Sequence, residues 1–122
     1  MKYMCLAYEE EKKLTDLSRK EWDSLRRETL DYVNGLRSSG HLLATHALKS
    51  PRTATAVRVR DGETLITDGP FTETKEQLGG YFLIEAKDLD EALRIAASWP
   101  SARLGTIEVR PIEEMLPEER RY

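Results

Sequence analysis

Apolar residues fill both alternate sets of positions in the first eight residues of the chain, MKYMCLAY. In an extended backbone, successive side chains point to opposite faces. One face would then carry Tyr3, Cys5 and Ala7, and the other Met4, Leu6 and Tyr8. The pattern predicts a strand that is covered on both faces.

The apolar spacing becomes helical in the next stretch. Ser18 and Glu21 have the spacing of a capping box, and apolar residues recur from Trp22 to Leu36 on one helical face. Gly40 suits the left-handed residue that ends many helices. We therefore expect a long helix between Ser18 and Gly40.

A β-hairpin is predicted around Asp61-Gly62, a dipeptide typical of two-residue hairpin turns. Such a turn fixes the pairing of the flanking strands, TATAVRVR and ETLIT, so that Val57 faces Ile66 and Thr55 faces Asp68. Asp68 then lies on the same face as Val57 and Ile66. We expect this apolar face, and Asp68 with it, to point inward.

Four further segments complete the pattern. HLLATHAL (41–48), GYFLIEA (80–86) and TIEVRPI (106–112) read as strands, and a helix capped by Asp88 and ended by Pro100 precedes the last of them. The order predicts an α+β fold of the ferredoxin-like kind: β-α-β, an inserted β-hairpin, and β-α-β, with an antiparallel sheet. One domain is expected over residues 1–112, followed by a solvated C-terminal tail over residues 113–122.

The helices of this fold cover one face of the sheet, and the opposite face must be polar or hidden. In the first strand the second face is apolar as well, which predicts self-association as a homodimer.

Charge and composition exclude several function classes. The chain has 122 residues, 19 basic and 22 acidic side chains and a net charge of −3, so no basic surface for nucleic acid or an anionic membrane is expected. No apolar run reaches the roughly 18 residues of a membrane span, and the N-terminus does not resemble a signal peptide. The lone Cys5 is expected to be a small buried strand residue in a reducing compartment. These features favour a cytoplasmic protein.

Residues 68–80, DGPFTETKEQLGG, contain most of the candidate chemistry. In a structural interpretation Asp68 caps turn amides, Phe71 fills the core, and Gly79-Gly80 permit a close approach of two chain segments. In a functional interpretation Asp68 is a desolvated acid–base group. Its charged neighbours Glu73, Lys75 and Glu76 would then surround a bound anion or acid.

Two residues outside this motif are also candidates. Alternation in HLLATHAL places His46 on the same face as Leu42 and Ala44, where it is either a hydrogen-bonded core histidine or a general base paired with Asp68. Arg103 is either a clamp for a carboxylate or a solvated surface residue. Two histidines without clustered cysteine or acidic ligands predict no metal site.

The string DGPF-x-E-x-KE-x-LGG, together with MKYMCLAY and TATAVRVRDG, resembles the DGPF subgroup of the YCII-related family. The resemblance implies a dimeric α+β barrel in which two ferredoxin-like sheets pack together. It also implies an association with extracytoplasmic-function sigma factors, beside which such proteins are commonly encoded. The wider family that the sequence resembles includes proteins with a His-Asp pair and a dehydrochlorinase relative, but the first predicted helix of this chain contains no histidine.

Two function classes follow. The sequence favours a small-molecule-binding or regulatory homodimer without a cofactor, and the resemblance implies a functional link to a sigma factor. The alternative is a cofactor-independent acid–base enzyme, isomerase-like or lyase-like, that acts on a small organic acid. Its catalytic residues would be Asp68 and His46, and its ligand-binding residues Phe71, Glu73, Lys75 and Arg103.

Overall fold

The computed structural model describes residues 1–122 and contains six strands and three α-helices. In chain order they are β1 (Lys2–Glu9), α1 (Glu11–Thr15), α2 (Arg19–Ser38), β2 (Leu42–Ala47), β3 (Thr55–Arg60), β4 (Glu63–Asp68), β5 (Gln77–Glu85), α3 (Leu89–Ala97) and β6 (Thr106–Pro111). Short 3-10 turns lie at Pro51–Thr53, Pro100–Arg103 and Pro117–Glu119. None of the helices has the length and apolar content needed to cross a bilayer.

Four strands form the main sheet in the order β2-β5-β1-β6, and every neighbouring pair is antiparallel. Strands β3 and β4 form a separate two-stranded sheet between β2 and β5 in the chain. This topology confirms the predicted ferredoxin-like fold with an inserted hairpin.

Helix α2 begins as its capping box predicted. The Ser18 hydroxyl accepts a hydrogen bond from the Glu21 backbone N–H at 3.1 Å, and the Ser18 backbone N–H donates to Glu21 Oε1 at 3.0 Å. These two bonds satisfy amide groups that have no partner within the helix. Gly40, with φ +82°, follows the helix end. The five-residue helix α1 was not predicted.

The core lies between the main sheet and helices α2 and α3. The ring of Phe82 in β5 stacks on Trp99, with 3.9 Å between ring centroids, and Tyr32 of α2 meets Trp99 edge-on at 5.9 Å. The Tyr32 hydroxyl donates to the Ile95 carbonyl at 2.7 Å, so the polar end of this aromatic group is satisfied. Cys5 is fully buried in this core, as predicted, and burial raises the pKa of its thiol to about 12.

The β3–β4 hairpin, here called the arm (residues 55–68), has the predicted register. Val57 pairs with Ile66 and Thr55 pairs with Asp68, and Asp61 and Gly62 have the positive φ values of 50° and 76° that the turn requires. The prediction that this face points inward is wrong, because Val57 and Ile66 are 63% and 68% exposed and Asp68 is exposed as well. The pairing fixed which residues share a face, but neither sheet nor helix of the same chain covers that face.

The side of the main sheet away from the helices is here called the open face. It carries the second alternate set of β1, which is Met4, Leu6 and Tyr8, and the residues paired with them on β5, which are Leu83, Tyr81 and Leu78. Only 15 of the 122 residues are buried, and none of them lies on the open face. A large apolar surface of the sheet is therefore left without a covering element in the single chain.

Candidate functional site

A hydrogen-bonded histidine–tyrosine pair lies on the open face. His46 of β2 and Tyr81 of β5 are register partners, and His46 Nδ1 lies 2.8 Å from the Tyr81 hydroxyl oxygen. Their rings are 5.6 Å apart between centroids and tilted by 43°. Either group can donate in this bond, since the imidazole nitrogen is a donor in one tautomer and an acceptor in the other. The pair thus offers a proton donor and a proton acceptor at one point of an apolar sheet face.

His46 reaches this face because β2 contains a bulge. Leu42 pairs with Ile84 but Ala44 already pairs with Leu83, so Leu43 is an extra residue in the strand. The extra residue reverses the alternation that follows, and His46 lies on the face opposite to Leu42. The prediction that His46 shares a face with Leu42, and the core-histidine interpretation built on it, are therefore wrong: His46 is exposed in the single chain.

The surroundings of the pair combine apolar and charged groups. On β1 its neighbour is Leu6, which pairs with Tyr81 on one side and with Glu108 of β6 on the other. Arg110 lies one step along β6 on the same face, and its guanidinium is 3.9 Å from the Glu108 carboxylate. The open face thus presents an apolar floor with a few polar groups, which is typical of small-molecule sites.

The C-terminal tail converts part of this face into a groove. Residues 113–122 run back over β1 and β6 and enclose about 1000 Å³ above Met4, Leu6 and Arg110. The backbone N–H of Lys2 donates to the Glu114 carboxylate at 3.2 Å and holds the start of the tail to the strand. Every residue of the tail is exposed, as expected for a solvated terminus, but its inner side lines the groove.

The DGPF segment lies outside this groove. Asp68, Phe71, Glu73 and Lys75 are all exposed, and Asp68 accepts no hydrogen bond from the turn amides. Phe71 is 74% exposed, so the predictions that it fills the core and that Asp68 caps the turn are wrong for the single chain. The guanidinium of Arg58 in β3 lies 5.1 Å from the centre of the Phe71 ring, a cation–π contact between the arm and the DGPF segment.

Arg103 is occupied by a partner within the chain. Its guanidinium donates to both oxygens of Glu28 in α2, at 2.8 and 2.7 Å, which is the two-pronged geometry of a strong arginine–carboxylate pair. The hydrogen bonds from Arg103 lower the pKa of the Glu28 carboxyl. The carboxylate that Arg103 clamps therefore belongs to α2, whereas the clamp interpretation concerned the carboxylate of a ligand.

The two glycines of the LGG segment do permit a close approach of chain segments, as predicted. A Cβ atom on Gly80 would lie 2.9 Å from the carbonyl oxygen of His46. Strand β2 can therefore approach β5 closely at the residue that carries the imidazole. Glu76, the remaining acid of the segment, accepts a hydrogen bond from the Thr106 hydroxyl at 2.8 Å and joins the segment to β6.

No three histidine, cysteine or acidic side chains are grouped so that they could hold a metal ion. The structure also shows residues that the sequence analysis missed, above all Tyr81, with Glu108 and Arg110 beside it. The signal for Tyr81 was present in GYFLIEA, where Gly80, Phe82 and Ile84 form one alternate set. Tyr81 belongs to the other set and is thereby assigned to the opposite face.

Comparisons with known proteins agree with the fold. The family model for the YCII-related domain matches residues 1–116. A relative from Rhizobium meliloti (strain 1021), the uncharacterized protein R00369, is 36% identical over 121 residues, which cover 98% of each chain.

A solved structure is similar as well. This is 5-chloro-2-hydroxyhydroquinone dehydrochlorinase (TftG) from Burkholderia phenoliruptrix AC1100 in complex with 2,5-dihydroxybenzoquinone, with a TM-score of 0.57 and 14% identity. The match covers 93% of this chain and 94% of the other. At this identity the likeness shows the fold, which is of the dimeric α+β barrel type.

Proposed function

Since the chain belongs to the YCII-related family, we propose that it is a homodimeric protein that binds a small organic acid on the open face. The observation that carries this proposal is the 2.8 Å hydrogen bond between His46 and Tyr81. The pair lies outside the groove of about 1000 Å³, but Tyr81 is the strand partner of Leu6 in the groove lining. The apolar floor accepts the carbon skeleton of the ligand, and the imidazole and phenol orient its polar groups.

An acidic ligand is favoured by the charges beside the pair. Arg110 lines the groove, and its 3.9 Å separation from Glu108 is too long for a tight ion pair. Its guanidinium is thus free to bind a carboxylate or an enolate oxygen. The dihydroxybenzoquinone in the TftG complex is a small ring compound with acidic hydroxyl groups, and supports a ligand of this size.

The homodimer is proposed because the open face needs a cover. Met4, Leu6 and Tyr8 retain partial exposure in the single chain, and an apolar sheet face of this extent is typical of an interface. A second copy that packs its sheet over the first would close the groove on its open side. Water would then be excluded from the His46–Tyr81 pair.

A second candidate function is cofactor-independent acid–base catalysis by the same pair. His46 would take a proton from a carbon acid or hydroxyl of the substrate, and the Tyr81 hydroxyl would stabilise the resulting oxyanion. The hydrogen bond between the two rings favours this candidate, because it holds the imidazole in one orientation beside the phenol. TftG is named as a dehydrochlorinase of 5-chloro-2-hydroxyhydroquinone, which is also a small ring compound with hydroxyl groups.

The other predicted features stay predictions. They are the DGPF subgroup, the link to an extracytoplasmic-function sigma factor, the cytoplasmic location, and ligand contacts by Asp68, Phe71, Glu73 and Lys75. In a homodimer the exposed arm and DGPF segment of one copy could contribute to the site only by reaching the open face of the other.

A binding titration by calorimetry tests the proposal, with 2,5-dihydroxybenzoquinone as the probe, and NMR follows the His46 ring signals of the unmodified protein. We expect a saturable shift of these signals, and an affinity about tenfold lower in His46→Phe and in Tyr81→Phe. Asp31→Asn, an exposed change in α2 on the other side of the main sheet, is the matched control and should bind as the unmodified protein does. Equal affinity in all four proteins would contradict the assignment of the site.

Mass spectrometry of the recovered probe, and of related hydroxyquinones that carry a leaving group, separates binding from catalysis. Conversion that disappears in His46→Phe would support the enzyme. Quantitative recovery of unchanged compounds, with intact binding, would support the binding module.

A further inference from the structure

A small pocket lies at the end of the main sheet where β1 runs into α1. It encloses about 100 Å³, close to the volume of three waters. Its walls combine the carboxyl of Glu9 and the amide of Gln77 with the apolar side chains of Leu14, Leu48 and Leu78. Of these residues only Leu78 also lies on the open face, three residues before Tyr81 in β5.

Gly79 of the LGG segment is what admits the Glu9 side chain to this pocket. The pairing of β1 with β5 passes from Ala7–Gly80 to Tyr8–Leu78, so Gly79 is an extra residue in β5. A Cβ atom built on Gly79 would lie 2.7 Å from Glu9 Cδ and 2.9 Å from Glu9 Cγ. The bulge and the missing side chain together form a seat for one carboxyl group.

The Glu9 carboxylate has no partner within the protein. It forms no ion pair, and no hydrogen bond reaches it. The second acid of the pocket differs, since Glu11 accepts hydrogen bonds from Ser50 and from the guanidinium of Arg52, each at 3.0 Å. Lys49 also lines the pocket but does not pair with Glu9.

The unpaired Glu9 carboxyl has an energetic cost for the folded chain when no ligand is bound. Burial raises the pKa of the Glu9 carboxyl, because no donor compensates for the lost water. The Glu9 carboxylate keeps some contact with water, so it is partly desolvated and the cost to the folded chain is partial. A positively charged ligand would relieve that cost, and the apolar walls would accept a short carbon chain beside the charge.

We propose that Glu9, seated over Gly79, binds a small primary ammonium group, and that this pocket is a second ligand site of the protein. The ligand presents its –NH₃⁺ to the carboxylate and to the side-chain oxygen of Gln77, and packs a stem of two or three carbons against Leu14 and Leu48. The site is separate from the His46–Tyr81 pair and does not depend on the function proposed for it.

The test uses the full-length protein with its glutamate carboxyl carbons labelled with ¹³C. Ethylammonium chloride is the probe, with sodium chloride at equal ionic strength and ethanol as controls. We expect a saturable shift of the Glu9 carboxyl signal and a lower Glu9 pKa with ethylammonium alone. The same change with sodium chloride, or no saturable change, would overturn the proposal.

Two variants separate a ligand site from a structural carboxylate. Glu9→Gln keeps the shape of the side chain and should abolish any stabilisation of the protein by ethylammonium, with an unchanged or higher Tm in its absence. The matched control Glu10→Gln removes the neighbouring carboxyl and should leave the response to ethylammonium intact. A clear loss of Tm in Glu9→Gln without ligand would show that the carboxylate serves the fold, and would overturn the proposal.

Discussion

Two glycines show how differently single positions respond to a methyl group. A Cβ atom on Gly80 would meet the His46 carbonyl oxygen at 2.9 Å, whereas nothing lies within 4 Å of the corresponding position on Gly35 in α2. We expect Gly80→Ala to lower the free energy of unfolding by about 1 to 3 kcal/mol, because β2 must move away from β5. Gly35→Ala should raise it by about 0.5 to 1 kcal/mol through helix propensity. Urea unfolding of the two variants measures both effects, and a loss of stability in Gly35→Ala with none in Gly80→Ala would contradict this packing.

The exposed position of Asp68 changes what its substitution should do. Its side chain accepts no hydrogen bond, and Glu73 is exposed in the same segment. We therefore expect Asp68→Asn and Glu73→Gln each to change the free energy of unfolding by less than about 0.5 kcal/mol. Thermal melts of both variants check this expectation. A selective loss in Asp68→Asn would indicate that Asp68 is buried against a second copy of the chain.

For single residues, the sequence predicted the contacts that depend on local structure and missed those that depend on a β-bulge. The pairing of Thr55 with Asp68 followed from the Asp61-Gly62 turn alone, because a two-residue turn leaves no freedom of register. The position of His46 could not be predicted, since no residue type marks Leu43 as the extra residue of β2. The exposure of Asp68 could not be predicted either, because alternation assigns a face without saying what covers it.

Among the elements, α2 depends on its first turn. We expect Ser18→Ala to cost about 1 kcal/mol, because it removes the hydroxyl that accepts from the Glu21 backbone N–H. Ser24→Ala, an exposed change within the same helix, is the control and should cost less. Chemical unfolding of the two variants compares them, and equal costs would show that the cap contributes nothing.

The same cap predicts a dependence on pH. Hydrogen bonds from Ser18 lower the pKa of the Glu21 carboxyl below its ordinary value of 4.5. Because the pKa of Glu21 is lower in the folded state than in the unfolded state, its ionised carboxylate stabilises the fold fully above pH 4.5. This stabilisation is lost as the pH falls through the pKa that Glu21 has in the folded state. Stability measured between pH 6 and pH 3 should therefore fall less steeply in Glu21→Gln than in the unmodified protein. Parallel curves for the two proteins would contradict the role of this carboxylate.

Element order was the most predictable level of this molecule. Capping residues, the hairpin dipeptide, and the strand-like or helix-like spacing of apolar residues are all local signals. They were enough to predict all six strands and helices α2 and α3, and therefore the ferredoxin-like topology. Helix α1 was missed because its five residues, EKKLT, carry no apolar period and no capping side chain. The site was less predictable than the fold, since it is formed where β2 and β5 meet rather than within one motif.

For the whole molecule we expect a homodimer closed by the open face. Leu6→Asp places a charge at the centre of that face and should shift the protein to monomers at micromolar concentration, while the helix-facing core stays folded. Leu89→Asp, at a residue of α3 that is 46% exposed, is the matched control and should leave the dimer intact. Sedimentation velocity distinguishes the two states. A stable monomer for the unmodified protein, or dissociation by Leu89→Asp alone, would contradict the proposed interface.

The extra residue at Leu43 separates position in the sequence from position on the sheet. Deletion of Leu43 would remove the bulge but leave Ala44, Thr45 and His46 opposite Leu83, Phe82 and Tyr81, so the imidazole would stay beside Tyr81. A homologue that lacks this residue would therefore carry the corresponding group three positions after its core leucine instead of four. Transfer of a function between such relatives must compare the paired residues across the sheet before it compares the spacing along the chain.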